Sequence, residues 1–225
     1  MRSLKVCVQQ FRIIGRIMSK TDKRRRPTQD RSRSRVDAIL NATAEIVSQK
    51  GTGGLKIHDL AEYAGVTPSS IYQYFPNKKA IIAALNERYV DATTEMVRES
   101  LKDIQSLEEG VDALSVMLDD YYEWYKQQSV ISDIWYGMAA DKVVHEMDLT
   151  NSLDSANVVI EALSPYVDDA NKAKLENIAI LLTHLTGATI RLCLTRDKES
   201  GEQLFSTFKQ IIQHSAIVLL SSQTG

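Results

Sequence analysis

The chain has few of the residues that mark several large classes of protein. It contains 2 cysteines, Cys7 and Cys193, which lie far apart in the sequence. This number excludes a disulfide-rich secreted scaffold, and without a secretory signature the two side chains are predicted to be free thiols in a reducing cytosol. The sequence therefore predicts a cytoplasmic protein.

Proline, glycine and long hydrophobic runs are also scarce. Only 4 prolines and 10 glycines interrupt the 225 residues. After residue 100 the apolar residues recur every three or four positions, and alternation with a period of two is scarce, which predicts helices rather than β-strands. No apolar stretch is predicted to span a membrane, and the basic residues within residues 1–17 argue against a signal peptide.

Motifs for catalysis and for metal binding are missing as well. The sequence has no nucleophile–base motif, phosphate-binding loop or cysteine–histidine cluster, so we expect neither an enzyme nor a cofactor. Asp141 and His145 lie one helical turn apart and, with His184, could ligate a metal. Because polar pairs with this spacing are common on helix surfaces, we expect no metal site.

The charges that are present are strongly polarised along the chain. Residues 1–80 hold 16 lysines and arginines against 6 acidic residues, whereas the remaining 145 residues hold 11 against 23, so the net charge of −2 conceals two opposite parts. Residues 20–35 are especially basic and lack an apolar period, which predicts a disordered basic arm over residues 1–32. A basic arm suits a DNA backbone, although a solubilising tail is the alternative.

Residues 57–75 have the pattern of two short helices joined by a tight turn. Gly65 stands where the first helix must end in a left-handed residue. Thr67 and Pro68 supply an N-cap and a first helical residue for the second helix. The side chains predicted to face inwards are Leu60, Ala61, Ala64, Val66 and Ile71. The outward face of the second helix is predicted to carry Ser69, Ser70, Gln73 and Tyr74, whose polar groups suit base edges in a major groove.

A further helix is predicted from Lys78 to about Lys102. Asn77 can cap this helix, and Lys78 beside its positive end suits a phosphate group. An ordinary helical hairpin with a solvated polar face is the alternative, but the adjacent basic segment favours DNA. We therefore predict a DNA-binding helix-turn-helix.

From Arg33 to about Tyr89 the sequence resembles the N-terminal domain of TetR-type (tetracycline-repressor-like) transcriptional regulators. The resemblance rests on a first helix with apolar residues at Val36, Ile39, Leu40, Thr43 and Val47, on the turn motif, and on Tyr72-Gln73-Tyr74-Phe75-Pro76-Asn77-Lys78. It implies an all-α fold of about nine helices, with a three-helix DNA-binding domain over residues 33–78 and a larger effector-binding and dimerisation domain over residues 79–225. Because Met18 resembles a more usual first residue for the family, we interpret residues 1–17 as an extension from an upstream start.

The resemblance makes residues 67–74 the recognition helix and places His58 near the DNA backbone. Lys56 departs from the family pattern, which has threonine or serine at this position; lysine caps poorly but can pair with a phosphate. The predicted DNA-binding residues are Arg33, Arg35, Lys56, His58, Thr67, Pro68, Ser69, Ser70, Tyr72, Gln73, Tyr74 and Lys78, of which Tyr72, Tyr74 and Lys78 contact phosphates.

The acidic body is predicted to contain helices near residues 107–128, 130–146, 149–164, 168–195 and 200–221. Its aromatic side chains are concentrated in one region and suit a small apolar or aromatic effector, although core filling is the alternative. The resemblance favours ligand contact for this cluster. The predicted effector-binding residues are Met117, Tyr121, Trp124, Tyr125, Trp135, Tyr136, Met138 and His184.

The last two predicted helices are the most apolar of the chain. The apolar face of each is too wide to be covered by one neighbouring helix. In TetR-like proteins the corresponding helices form a four-helix dimer interface, whereas the alternative is a role only in the core of one chain. The predicted dimerisation residues are Leu181, Leu185, Phe208, Ile212 and Leu219.

These features together predict a cytoplasmic repressor. We expect a homodimer that binds a palindromic operator and leaves it when an effector tilts the helix starting at Lys78. The alternative is a DNA-binding interaction protein of the same fold with a role outside transcription.

Overall fold

A computed structural model of the chain describes the backbone of residues 27–138 and 142–220 and, within them, all side chains except those of residues 27–30, 129, 135–148 and 216–220. These two ranges contain nine α-helices, three short 3₁₀ turns and no β-strand. The all-α prediction is therefore confirmed.

The helices follow one another with short connections. They are α1 (Pro27–Lys50), α2 (Ile57–Tyr63), α3 (Pro68–Tyr74), α4 (Lys78–Leu101), α5 (Leu107–Gln127), α6 (Ser129–Met138), α7 (Lys142–Leu163), α8 (Lys172–Leu194) and α9 (Lys198–Leu220). The 3₁₀ turns are Thr52–Gly54, Ser164–Tyr166 and Asp169–Asn171. The predicted helices 130–146 and 149–164 were divided at the wrong place. Residues 142–146 belong to α7, which begins at Lys142, and not to the helix Ser129–Met138.

The start of α1 also differs from the prediction. The helix begins at Pro27, within the segment predicted to be disordered up to residue 32. Proline is well suited to a first helical turn because its missing N–H has no partner there, and the arginines that follow are good helix formers. Residues 27–32 are therefore part of α1, while the rest of the predicted arm lies outside the described residues.

The chain divides into two compact units. Among the described residues, the first unit comprises residues 27–92 and 128–138, and the second comprises residues 93–127 and 142–220. The first half of α4 packs within the first unit, where Ile81 and Leu85 are fully buried, and the domain boundary at residue 78 stays a prediction. α6 also belongs to this unit and packs against α1 and the Thr52–Gly54 turn. A segment from the middle of the sequence thus completes the N-terminal unit.

The core of the first unit is built from aliphatic side chains on helices far apart in sequence. Ile39, Leu60, Ile71 and Ile134, on α1, α2, α3 and α6, are all fully buried. Arg88 Nη1 on α4 donates a hydrogen bond to Asn41 Oδ1 on α1 over 2.7 Å. The two short helices α2 and α3 therefore pack on the longer helices α1, α4 and α6, which we call the platform.

In the second unit α8 packs against both α7 and α9, and α5 contacts all three. α9 approaches α8 closely at Gly201, where an added Cβ atom would lie 2.7 Å from the Cys193 backbone oxygen. The Tyr166 hydroxyl donates to the Ile104 carbonyl oxygen over 2.8 Å and fixes the connection between α4 and α5. These contacts form the helical bundle of the second unit.

The stretch Asp169–Leu194 is more apolar than predicted. By length and composition alone it could cross a membrane, with a mean hydropathy of 1.4 in its most apolar 18-residue window. The prediction that no stretch reaches this length and hydropathy was therefore wrong. Only 22% of that window is buried within the chain. α8 thus carries more apolar surface than its neighbours in the same chain cover.

Candidate nucleic-acid interface and ligand cavity

The turn between α2 and α3 is a Schellman motif centred on Gly65. The Gly65 N–H donates to the Glu62 carbonyl oxygen over 3.2 Å, and the Val66 N–H donates to the Ala61 carbonyl oxygen over 2.9 Å. Gly65 has a φ of 63°, and nothing lies within 4 Å of the position a Cβ atom would take. The position therefore requires glycine for its backbone conformation and not for space.

Thr67 begins α3 as its N-cap. Its Oγ1 accepts a hydrogen bond from the Ser70 backbone N–H over 3.2 Å, and Pro68 follows at the first helical position. The same oxygen lies 2.9 Å from Ser69 Oγ and 3.0 Å from Ser70 Oγ. The predicted cap is confirmed, and three hydroxyl groups are gathered at the N-terminus of α3.

The inner and outer faces of the motif are largely as predicted. Leu60, Ala61 and Ile71 are buried, whereas Ala64 and Val66 are only half-buried. Most of the predicted DNA-binding residues are exposed: Arg33, Arg35, Lys56, His58, Thr67, Pro68, Ser69, Tyr72 and Gln73. Ser70, Tyr74 and Lys78 are half-buried. α3 thus presents a polar surface next to a buried apolar one.

The N-terminus of α4 is capped by Asn77, as predicted. Asn77 Oδ1 accepts a hydrogen bond from the Ala80 backbone N–H over 2.9 Å. Lys78 Nζ lies 3.4 Å from the Gly53 carbonyl oxygen, at the outer limit of a hydrogen bond. An ammonium group has three donors, so this contact leaves donors for a phosphate.

Lys56 and the arginines of α1 differ in how they are placed. Lys56 is the N-cap residue of α2 but makes no side-chain cap hydrogen bond, as predicted from its chemistry. Arg33 and Arg35 both lie on α1, where two positions correspond to a rotation of roughly 200°. The helix therefore directs these two arginines to opposite sides, which a disordered arm would not do.

A cavity of about 100 Å³ lies within the second unit and is lined by residues of α4, α5, α7, α8 and α9. α5 contributes Leu107, Val111, Leu114, Met117 and Leu118. Their spacing of three and four residues is visible in the sequence, but the same spacing is expected of core residues. Of these five residues, only Met117 is among the predicted effector-binding residues.

The aromatic side chains of α5 are placed differently from the prediction. Trp124 and Tyr125 are buried, and the Tyr121 ring lies 5.9 Å from the Trp124 ring and 6.0 Å from the Tyr125 ring. None of the three lines the cavity. They lie beyond its last α5 residue, Leu118, and pack with one another, and their assignment to the effector site stays a prediction.

The remaining predicted effector residues divide into three groups. Met117 lines the cavity. His184 does not line it; its Nδ1 lies 3.1 Å from Ser152 Oγ, a contact between α8 and α7. The side chains of Trp135, Tyr136 and Met138, and those of Asp141 and His145 from the weighed metal site, lie outside the described residues.

The predicted dimerisation residues differ in their exposure. Leu181 and Leu185 are 60% and 45% exposed. Phe208 and Ile212 are buried within the chain, and Ile212 lines the cavity, and their assignment to a dimer interface stays a prediction. The Leu219 side chain lies outside the described residues. Leu192 on α8 and Ile211 on α9 are further exposed apolar side chains, at 49% and 52%.

Two family models match different parts of the chain. Residues 39–85 match the model described as "Bacterial regulatory proteins, tetR family". Residues 108–215 match the model described as "Tetracyclin repressor-like, C-terminal domain". The first match covers the helix-turn-helix, and the second covers the cavity-forming bundle.

Individual relatives agree with these matches. The HTH-type transcriptional regulator YvdT of Bacillus subtilis (strain 168), itself described as uncharacterized, is 27% identical over 50% of this chain and 55% of its own length. The HTH-type transcriptional regulator RutR of Escherichia coli (strain K12) is 30% identical over 37% of this chain and 41% of its own. The chain therefore spans about half the length of these curated relatives.

A solved structure shares the fold over nearly its whole length. The TetR-family transcriptional regulator from Streptomyces coelicolor superposes with a TM-score of 0.67 at 20% sequence identity, over 84% of this chain and 99% of the other. The similarity covers both units of the fold.

Proposed function

We propose that this chain, which belongs to the tetR family of bacterial regulatory proteins, is a cytoplasmic repressor that binds a palindromic operator as a homodimer and leaves it when a small apolar effector binds. Family membership makes the chain a DNA-binding transcriptional regulator and not an enzyme. Repression, dimerisation and release by a ligand are the proposal. The observation that carries it is the capped helix α3, which turns a polar face outward beside Gly65.

The face of α3 is suited to reading a short DNA sequence. Ser69 and Gln73 are exposed and four residues apart, so they lie on the same side of the helix. A glutamine amide can bind adenine through two hydrogen bonds, and a serine hydroxyl can donate to or accept from any base edge. Tyr72 and Lys78, together with Lys56 and His58, supply groups for phosphate oxygens.

The exposed apolar stripe of α8 supports a homodimer. Leu181, Leu185 and Leu192 are four and seven residues apart, which places them along one side of the helix. Contiguous apolar patches of this kind on a protein surface mark interaction sites. A second copy is the partner that a palindromic operator requires, since a single helix-turn-helix reads only one half-site.

The chain path supports release by a ligand. Val97 of α4 and five residues of α5 line the cavity. α4 begins in the first unit, and α5 is followed after Gln128 by α6, which packs against α1 and the Thr52–Gly54 turn. A ligand that binds one arrangement of α4 and α5 better than another will therefore bias the unit that holds α3.

An operator selected from random duplexes with the full chain tests the proposal. We expect a palindrome whose half-site centres lie about 34–36 Å apart, with two chains bound to each duplex. Fluorescence anisotropy with an intact operator and with one half-site scrambled gives the affinity, and sedimentation of the complex gives the stoichiometry. A complex of one chain per duplex that is insensitive to loss of a half-site would contradict the dimer, and a reporter gene activated by the protein would contradict repression.

A further inference from the structure

The cavity of the second unit has an unusually uniform lining. Thirteen of its fifteen lining residues are aliphatic or methionine, and the other two are Thr183 and Thr186. None of these lining residues, all of which lie within the described part of the chain, has a charged, amide or aromatic side chain. The lining therefore has no group for stacking and none for neutralising a charge.

Both threonine hydroxyls donate their protons to the backbone. Thr183 Oγ1 lies 2.8 Å from the Ala179 carbonyl oxygen and 3.0 Å from the Ser152 carbonyl oxygen. Thr186 Oγ1 donates to the Leu182 carbonyl oxygen over 2.7 Å. With these protons engaged, the cavity wall offers no side-chain donor to a carboxylate or carbonyl group of a ligand.

The volume limits the size of the occupant. The cavity volume is about 100 Å³, which is of the same order as the roughly 150 Å³ of an aliphatic cavity that takes up benzene or xenon. Transfer of each methylene group from water into such a lining tightens binding by about fourfold. A compact molecule of about six carbons therefore gains affinity from every atom, whereas a long chain leaves part of its length outside the lining.

We propose that this cavity binds a compact, uncharged hydrocarbon group of about six carbon atoms, and that such a molecule is the effector; the second clause rests on the proposed function. The specificity comes from the absence of a counter-charge in the lining, because an ion enters only at the full cost of losing its hydration. Aliphatic and aromatic rings of this size fit, but the lining gives aromatic rings no added stacking.

A series of ligands with one ring tests the chemistry on the wild-type protein. Cyclohexane, cyclohexanecarboxylate and cyclohexylammonium are titrated against the full chain by calorimetry, while release from operator DNA is followed by anisotropy. We expect cyclohexane to bind and both ions to bind at least about a hundredfold more weakly. Equal binding of either ion, or tighter binding of dodecane than of cyclohexane, overturns the assignment.

A substitution that fills the cavity tests its location. Ala179 is buried in the lining, whereas Ala173 is exposed on the same helix. We expect Ala179→Leu to abolish cyclohexane binding and the matched Ala173→Leu to leave it unchanged; unchanged binding by Ala179→Leu overturns the location. Should Ala179→Leu fail to fold, the milder Val111→Leu must shift the preference from cyclohexane towards cyclopentane.

The two proposals fail in different ways. A protein that binds its operator but no hydrocarbon contradicts the cavity assignment and leaves the DNA-binding function intact. The other outcome is that the wild-type protein binds cyclohexane, Ala179→Leu does not, and the wild-type protein stays on its operator when cyclohexane is bound. This result contradicts release by this ligand, while the assignment of the cavity stands.

Discussion

Arg88 Nη1 donates a hydrogen bond to Asn41 Oδ1 over 2.7 Å, and this bond joins α4 to α1 inside the first unit. α4 also reaches the cavity of the second unit through Val97. α4 is thus bonded to α1 in its first half and lines the cavity in its second half. The strength of the Arg88–Asn41 hydrogen bond therefore affects how α4 can move relative to α1.

Breaking the Arg88–Asn41 bond should loosen the platform. We expect Arg88→Ala and Asn41→Ala each to destabilise the protein, with a coupling of about 0.5–1.5 kcal/mol in a double-mutant cycle measured by urea unfolding. Because α1 and α4 would be less firmly joined, movement of α4 would be passed on less directly to α1, and both variants should need more effector for release of DNA. A coupling free energy near zero would show that this hydrogen bond does not hold α4 to α1.

Gly65 should tolerate no ordinary side chain. Gly65→Ala places an L-residue at a φ of 63°, so we expect a loss of about 1–2 kcal/mol in the free energy of unfolding. Gly53→Ala is the matched control, because that position is open and has no positive φ. Gly65→Asn should recover part of the loss, since asparagine adopts this conformation more easily. Equal stabilities of the two alanine variants would contradict the requirement for glycine.

An aspartate in the α8 stripe should separate the proposed dimer. Leu185 and Leu149 are 45% and 46% exposed, on α8 and α7 respectively. We expect Leu185→Asp to sediment as a monomer at micromolar concentration and to lose operator affinity, because the charge would be buried between two copies. Leu149→Asp should remain dimeric. The opposite pattern would move the interface from α8 to α7.

Arg33 and Arg35 should not act alike on DNA. Because α1 is helical here and the two residues lie on opposite sides, at most one can face the same DNA backbone. We expect one of Arg33→Ala and Arg35→Ala to reduce the slope of log affinity against log salt by about 1 and the other to leave it unchanged. Arg31→Ala should behave like Arg35→Ala, four residues away. Equal slopes for Arg33→Ala and Arg35→Ala would contradict this opposite placement on α1.

Asp197 should make stability depend on pH on the acid side. Its carboxylate caps α9 by accepting from the Ser200 backbone N–H over 3.0 Å and from the Ser200 hydroxyl over 2.8 Å, and these hydrogen bonds lower the pKa of Asp197. A lowered pKa in the folded state contributes stability above the unfolded-state pKa, and that contribution disappears as the pH falls through the folded-state pKa.

Melting temperatures at pH 7 and pH 3 check this expectation. Asp197→Ala should be less stable than the wild type at pH 7, and the difference should shrink at pH 3. Asp197→Asn keeps a capping oxygen without the titrating charge, so its cap should not weaken with acid. A constant difference between Asp197→Ala and wild type would show that the carboxylate charge is not involved.

Local signals made part of this structure predictable. Gly65, Thr67 and Asn77 each satisfy a backbone group within a few residues, so their roles can be predicted from chemistry at one position. The long helices follow from apolar spacing in the same way.

Tertiary packing made the rest unpredictable. Phe208 and Ile212 belong to an apolar stripe, but spacing alone cannot tell a neighbour in the same chain from one in a second copy. Trp124 and Tyr125 suit a ligand site by composition, yet they pack beyond the cavity that α5 actually lines. Nothing near α6 in sequence indicates that it belongs with α1, because that contact depends on the path of the whole chain.

The aliphatic cavity also makes the protein sensitive to hydrostatic pressure. Water gains no good hydrogen-bonding partners among its lining residues, so the space adds to the volume of the folded state and is eliminated on unfolding. Pressure therefore favours the unfolded chain, and a hydrocarbon that occupies the space removes part of that bias. A measurement of the protein's partial volume with and without the hydrocarbon thus reports whether the cavity is occupied, and it needs no DNA.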